Sequence, residues 1–127
     1  MATIRCDALT KRYGAVTAVD ALDLTIVHGE FMVPLGPSGC GKTTTLNMIA
    51  GLEEISDGRL LFDDKDVTWQ PPHKREVAMV FQSYALYPNK TVFENIAFPL
   101  RLRSTLRAEI DRAVRQAADQ LEITHLL

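Results

Sequence analysis

Gly36-Pro37-Ser38-Gly39-Cys40-Gly41-Lys42-Thr43 is the segment that most narrows what this chain can fold into. It fits G-x-x-x-x-G-K-[ST], with apolar residues 31–35 before it and a helix-like run, 42–50, after it. That strand, loop and helix order is the setting the pattern requires. At ordinary residue frequencies a chance match is on the order of 10⁻⁵ per starting position. The residue types follow from the chemistry. Glycines let the backbone turn with its amides pointing inward, a nest for a β-phosphate at a helix N-terminus where the dipole is positive. Lys42 adds a full charge over the β- and γ-phosphate oxygens, Thr43 offers a hydroxyl ligand to Mg²⁺, and Thr44 is placed to bond an α-phosphate. The plainer reading is a glycine turn capping a helix beside a surface lysine.

Around this loop the punctuation divides the chain. Residues 3–9, 16–27 and 31–35 are apolar, partly alternating and bounded by Gly14 and Gly29, which predicts strands and an early β layer. Leu46, Ile49 and Ala50 fall at helical spacing, and Gly51 stands at a C′ position. Asp57-Gly58 reads as a turn before Leu60-Leu61-Phe62. The acids that follow, Asp63 and Asp64, are either a second anchor for a metal or a solvated turn. A polar stretch closes with Pro71-Pro72-His73-Lys74-Arg75, and residues 77–81 are an apolar run of buried-strand length ending at Gln82. Leu106, Ile110, Ala113, Val114, Ala117 and Leu121 form the stripe of an amphipathic helix.

The 127 residues allow one domain or a piece of a larger one. Fourteen basic and sixteen acidic side chains leave a net charge of −2, so no broad positive field is available for nucleic acid, and a polyanion must be held locally. Cys6 and Cys40 have no metal-ligand or redox spacing and read as free thiols in a reducing compartment. No signal peptide or membrane span is predicted, so the chain is expected to stay in the cytosol and to meet a membrane only through partner subunits.

Residues 36–44, with Ala78-Met79-Val80-Phe81-Gln82-Ser83-Tyr84-Ala85-Leu86-Tyr87-Pro88 and Glu94-Asn95-Ile96-Ala97-Phe98, resemble the ATP-binding subunit of ABC transporters. The likeness runs over 3–127, and the Pro71-Pro72 approach to Arg75 is most similar to the carbohydrate importer branch serving maltose, multiple sugars and glycerol 3-phosphate. The resemblance implies an α/β fold: a P-loop NTPase core with an N-terminal antiparallel β subdomain, a phosphate-loop strand and helix, and an incomplete parallel sheet. It also implies ATP and Mg²⁺ as cofactors. Tyr13 matches the aromatic that stacks on adenine in the loop between the first two strands; read alone it is a turn tyrosine. Gly36, Pro37, Ser38, Gly39, Cys40, Gly41, Lys42, Thr43 and Thr44 match the nucleotide-binding loop. Gln82 matches the glutamine that contacts Mg²⁺ and the attacking water, so Lys42 and Gln82 are the catalytic candidates and Thr43 and Gln82 the metal candidates.

The surface beginning at Ser83 and ending at Phe98 is similar to the one that receives the permease subunits, with local packing of Tyr84, Leu86 and Tyr87 as the alternative. The implied partners are a second ATP-binding subunit, transmembrane permease subunits and, indirectly, an external solute-binding protein, with the chain on the cytoplasmic face of the inner membrane. His28, His73 and His125 match no functional position of the family. The chain departs from the family pattern at Pro34, since proline lacks the N–H that a central strand needs. Across residues 1–127 there is also no Leu-Ser-Gly-Gly-Gln signature, no Mg²⁺-binding Asp with the catalytic Glu, and no switch histidine. The expectation is therefore the N-terminal part of a nucleotide-binding domain that binds ATP-Mg but does not hydrolyse it alone. A vestigial nucleotide-binding polypeptide and another P-loop enzyme, such as a small kinase, are the alternatives.

Overall fold

Two strands, β1 (Ile4–Tyr13) and β2 (Val16–Ile26), pair antiparallel through a tight connection at Gly14 and Ala15. Gly14 takes φ +58, a conformation glycine adopts without a Cβ clash. β3 (Asp57–Phe62) adds to the other edge of β1, and the short β4 (Lys65–Asp66) follows, giving the order β2-β1-β3-β4. Asp63 and Asp64 form the β3–β4 turn with φ of +48 and +64, the left-handed pair that matches strand twist in a tight hairpin. Helix α1 (Lys42–Ala50) ends at Gly51, whose φ is +83 and whose N–H bonds back into the last turn. Met48 from α1 packs with Cys6, Leu9, Val19, Ile55, Leu60 and Val67, and the half-buried alternation Leu22, Leu24 of β2 lies against this core. Ile49 packs beside it, whereas Leu46 of the expected stripe faces outward.

This computed structural model describes residues 2–127, in a first unit that ends at Met79 and a second from Val80 to Leu127. In the second unit, α2 (Val92–Leu102) begins at a reciprocal cap: the Thr91 hydroxyl accepts from the Glu94 N–H, and the Glu94 carboxylate accepts from the Thr91 N–H. α3 (Arg107–Gln120) packs on it through Ile110 and Val114 against Ala97, with Phe93, Ile96 and Leu100 around them. Leu106 and Leu121, the ends of the expected stripe, are exposed, and Ala118 is buried instead.

The expected strands at 31–35 and 77–81 do not form. Both segments are irregular, and every strand pair among the described residues is antiparallel. The physical reason is the absence of a ladder partner: a strand's backbone groups need neighbours, and a parallel strand needs them from crossover connections. Among the described residues no strand runs beside 31–35, and Pro34 could donate nothing to one. Phe31 and Leu35 are consequently 92% and 88% exposed.

Candidate functional site

The loop between residue 35 and α1 owes its shape to its glycines. Gly41 lies at φ +89, and a Cβ there would stand 2.5 Å from the carbonyl oxygen of Ala18 on β2. Only a residue with no side chain brings the loop this close to the sheet in this conformation. Gly36 meets a second close approach, since an added Cβ would lie 2.5 Å from Cys40 Sγ. Gly39 also has positive φ, at +81. Ser38, Gly39, Gly41, Lys42, Thr43 and Thr44, with Ala18, line a concavity of about 240 Å³. A larger trough of about 810 Å³ lies along Ile4, Phe62, Lys74 and Ala78 in the same unit. It contains no helix N-terminus, so we place the candidate site at the loop.

The N-cap of α1 is Gly41, which offers no side-chain acceptor, and no acidic residue stands in the first turn. The first N–H groups of a helix have no intrahelical partner. The amides of Lys42, Thr43 and Thr44 therefore lead an uncompensated positive pole into the concavity. Lys42 Nζ donates to Gly36 O at 2.6 Å and Pro37 O at 2.8 Å, and sits 3.3 Å from Cys40 Sγ. Its stem folds back over the loop and brings the charge to the loop's centre. Thr45, one turn on, ties its hydroxyl to Gly41 O at 2.8 Å, so Ser38, Thr43 and Thr44 are the hydroxyl residues lining the concavity. These amides, one ammonium and three hydroxyls fit a polyphosphate with a hard cation.

Tyr13 ends β1 rather than lying in a loop, because it pairs with Val16. It does not line the loop concavity and is 47% exposed. Its ring has Lys11 Nζ 5.0 Å from its centroid. Lys11 is itself buried, with Nζ 2.7 Å from Glu53 Oε1 and 2.7 Å from Glu54 O. Hydrogen bonds from Lys11 and Tyr13 hold the Glu53 carboxyl below the usual range. This network, which reading the sequence misses, orients the Tyr13 ring, and its members are too far apart in sequence to signal it.

Asp63 and Asp64 make local bonds: Asp63 Oδ1 accepts from Thr3 N at 2.8 Å, and Asp64 Oδ1 pairs with Arg5 Nη1 at 3.2 Å. Among the described residues no group of three or more His, Cys, Asp or Glu side chains could hold a metal. Cys6 is buried and Cys40 exposed, both free.

Gln82 belongs to the second unit, in a turn where Tyr84 N bonds Phe81 O at 2.9 Å. After it the segment is fixed by Asn95, whose Oδ1 accepts from Tyr87 N at 2.8 Å. Its Nδ2 donates to Tyr87 O, Lys90 O and Thr91 O. The Tyr87 ring packs on Phe98 at 4.7 Å between centroids, while Tyr84 and Leu86 stay 75% and 69% exposed. Of the three candidate contact residues, only Tyr87 is engaged by this ring packing. The Thr91-x-x-Glu94 spacing is the sequence signal that marks the helix carrying Asn95.

Residues 19–127 match the family described as ABC transporter. The whole chain is 55% identical to the trehalose/maltose import ATP-binding protein MalK of Thermococcus litoralis. It is 51% identical to the sn-glycerol-3-phosphate import ATP-binding protein UgpC 3 of Rhizobium etli and 54% to the trehalose import ATP-binding protein SugC of Mycobacterium tuberculosis. It spans 36%, 36% and 33% of their respective lengths. No helix among the described residues is long and apolar enough to cross a membrane.

Proposed function

Because the chain belongs to the ABC transporter family, we propose that its phosphate loop binds ATP with Mg²⁺ and that it serves as the energy-coupling, ATP-binding component of an importer. The single observation that carries this reading is Gly41 at φ +89 against Ala18 O, a wedge that points the uncapped N-terminus of α1 into the concavity beside Lys42. In this reading the amides from Gly39 to Thr44 hold the phosphates, and Lys42 exchanges its bonds to Gly36 O and Pro37 O for phosphate oxygens. Tyr13 stacks on the adenine, and Ser38, Cys40 and Pro37 complete the loop's turn. Mg²⁺ would neutralise charge on the phosphates, with the Thr43 hydroxyl as its ligand at the loop; Gln82 is proposed as a metal and catalytic residue on the family resemblance alone.

The 127 residues correspond to the N-terminal part of a nucleotide-binding domain. They carry the binding groups but no carboxylate matched to water activation, so the chain alone binds ATP and does not turn it over. Groups that act as a unit lose many orders of magnitude in rate when one is missing. Sugars or glycerol phosphates are the proposed cargo class, following the relatives' names. The proposed partners are a second ATP-binding subunit, permease subunits docking around exposed Tyr84 and Leu86, and an external solute-binding protein. The chain would then sit on the cytoplasmic face of the membrane.

Calorimetric titration of the chain with ATP and Mg²⁺ tests this. Saturable binding that Lys42→Ala weakens by at least about tenfold is expected, and equal behaviour of the two proteins would overturn the assignment. Turnover above ~0.1 s⁻¹, against ~1–10³ s⁻¹ for typical enzymes, would overturn the claim that the chain does not hydrolyse.

A further inference from the structure

Helix α1 has no basic residue in its own last turn. Its terminal carbonyls are nevertheless covered, by a guanidinium from elsewhere in the chain. Arg75 Nη1 donates to Met48 O at 2.6 Å and Ile49 O at 3.1 Å. The same group donates through Nε to Gln70 O at 2.8 Å and through Nη2 to Thr68 O at 3.2 Å. Arg75 is only 6% exposed, and none of the ion pairs found among the described residues includes it. Burial lowers its pKa, yet a guanidinium stays protonated in a protein. A buried charge satisfied by four carbonyls needs a rigid planar fork, which arginine has and lysine lacks. Gly51 leaves room for it, since a Cβ there would stand 2.9 Å from Arg75 Nε.

We infer that Arg75 is a positioning residue for the phosphate loop: by fixing the carbonyl end of α1, it sets where the amides of Lys42, Thr43 and Thr44 point. The helix is nine residues long, a rod of about 13 Å at ~1.5 Å per residue. Met48 anchors it in the core. Met48 O is itself an acceptor of Arg75, so guanidinium and core together fix one end of the rod, and a rigid rod carries that direction to the amides at its other end. The charges agree with this role. Arg75 sits at the negative pole and an anion would sit at the positive one, so both lie favourably along one dipole. The consequence for nucleotide affinity rests on the ATP-binding reading above.

The test uses the whole chain with Arg75→Lys and Arg75→Met, and Leu61→Val as a control at a buried position of β3 outside the cluster that holds Met48. Amide hydrogen exchange is followed without nucleotide, and Mg-ATP affinity by calorimetry. Arg75→Lys keeps the stem and charge, so it carries the test if Arg75→Met does not fold. In Arg75→Lys, exchange across residues 42–50 is expected to rise and Mg-ATP affinity to fall, each by roughly tenfold, the scale of one lost charge-assisted bond. Protection in β1 and β3 stays as in wild type, whereas Leu61→Val loosens β1 and β3 and spares α1. Unchanged exchange in 42–50, or a rise in the sheet equal to that in α1, would overturn the inference. A wild-type chain that binds no Mg-ATP would overturn the ATP reading alone, because the exchange measurement still decides the role of Arg75.

Discussion

The ammonium of Lys42 lies 2.6 Å from the carbonyl oxygen of Gly36, six residues back along the same loop. The bond closes the loop on its own charge, so that Lys42, which lines the concavity, has its stem already placed. A phosphate then draws this ammonium from two neutral carbonyl acceptors to charged oxygens, which bond it more strongly. Lys42→Ala is expected to weaken ATP binding by at least about tenfold, since one charge-assisted bond is worth ~1.5–3 kcal/mol. Lys42→Arg does not restore it, because a planar fork cannot replace a point donor bonded to two converging carbonyls. Titration with ATP at fixed Mg²⁺ checks both variants.

Gly41 and Gly39 both have positive φ, but only Gly41 is also crowded by the sheet. Gly39→Ala therefore carries conformational strain alone, whereas Gly41→Ala adds a clash with Ala18 O. Strain of this kind costs about 1–3 kcal/mol, and each 1 kcal/mol lowers the melting temperature of a small domain by roughly 4–8 °C. Thermal melts are expected to rank wild type above Gly39→Ala and Gly39→Ala above Gly41→Ala. Equal melting of the two variants would contradict the wedge.

Glu53 titrates below its ordinary value because Lys11 and Tyr13 bond its charged form. A carboxyl with a depressed folded pKa stabilises the fold above its unfolded value and loses that contribution as pH falls through the folded value. The pair is thus fully effective above the ordinary 4.5 and fades below it. Melting temperatures measured between neutral pH and strong acid should fall less steeply in Glu53→Gln than in wild type.

Cys6 and Cys40 are expected to differ in reactivity because their surroundings differ. Burial, and then the neighbouring Asp7, push the Cys6 thiol up to about 11, while Cys40 stands exposed in the loop. A thiol-specific chromogenic reagent at mildly alkaline pH should modify one cysteine per chain quickly and the second only after denaturant is added. Cys40→Ser removes the fast phase, and two fast phases in the native chain would refute the burial of Cys6.

Much of the candidate site is legible along the chain because its groups are contiguous. Residues 36–44 carry the glycines, the lysine and the hydroxyls in one run, and Gly51 marks the end of α1 as expected. The β1–β2 hairpin follows from Gly14 and the flanking apolar alternation. Helix α2 is not evident from the sequence, although the Thr91-x-x-Glu94 box announces its start, because Pro99 lies in its interior, where proline ordinarily breaks a helix. Arg75 is not legible at all. Its acceptors come from α1 and from the segment between β4 and Arg75, and nothing in Pro71-Pro72-His73-Lys74-Arg75 separates a buried guanidinium from a solvated one.

By itself the sequence determined the local chemistry: where the backbone must turn, which helix follows the turn, and which charge stands at its start. Those are short-range consequences of glycine, hydroxyl and lysine placement within nine residues. The tertiary structure decided what long-range contacts decide. It pressed Gly41 onto Ala18, placed Arg75 on the carbonyl pole of α1, and left residues 31–35 and 77–81 outside any sheet. A helix start can be written in one stretch of chain, whereas a buried ion's acceptors and a strand's partners are supplied by other stretches, and only packing brings them together.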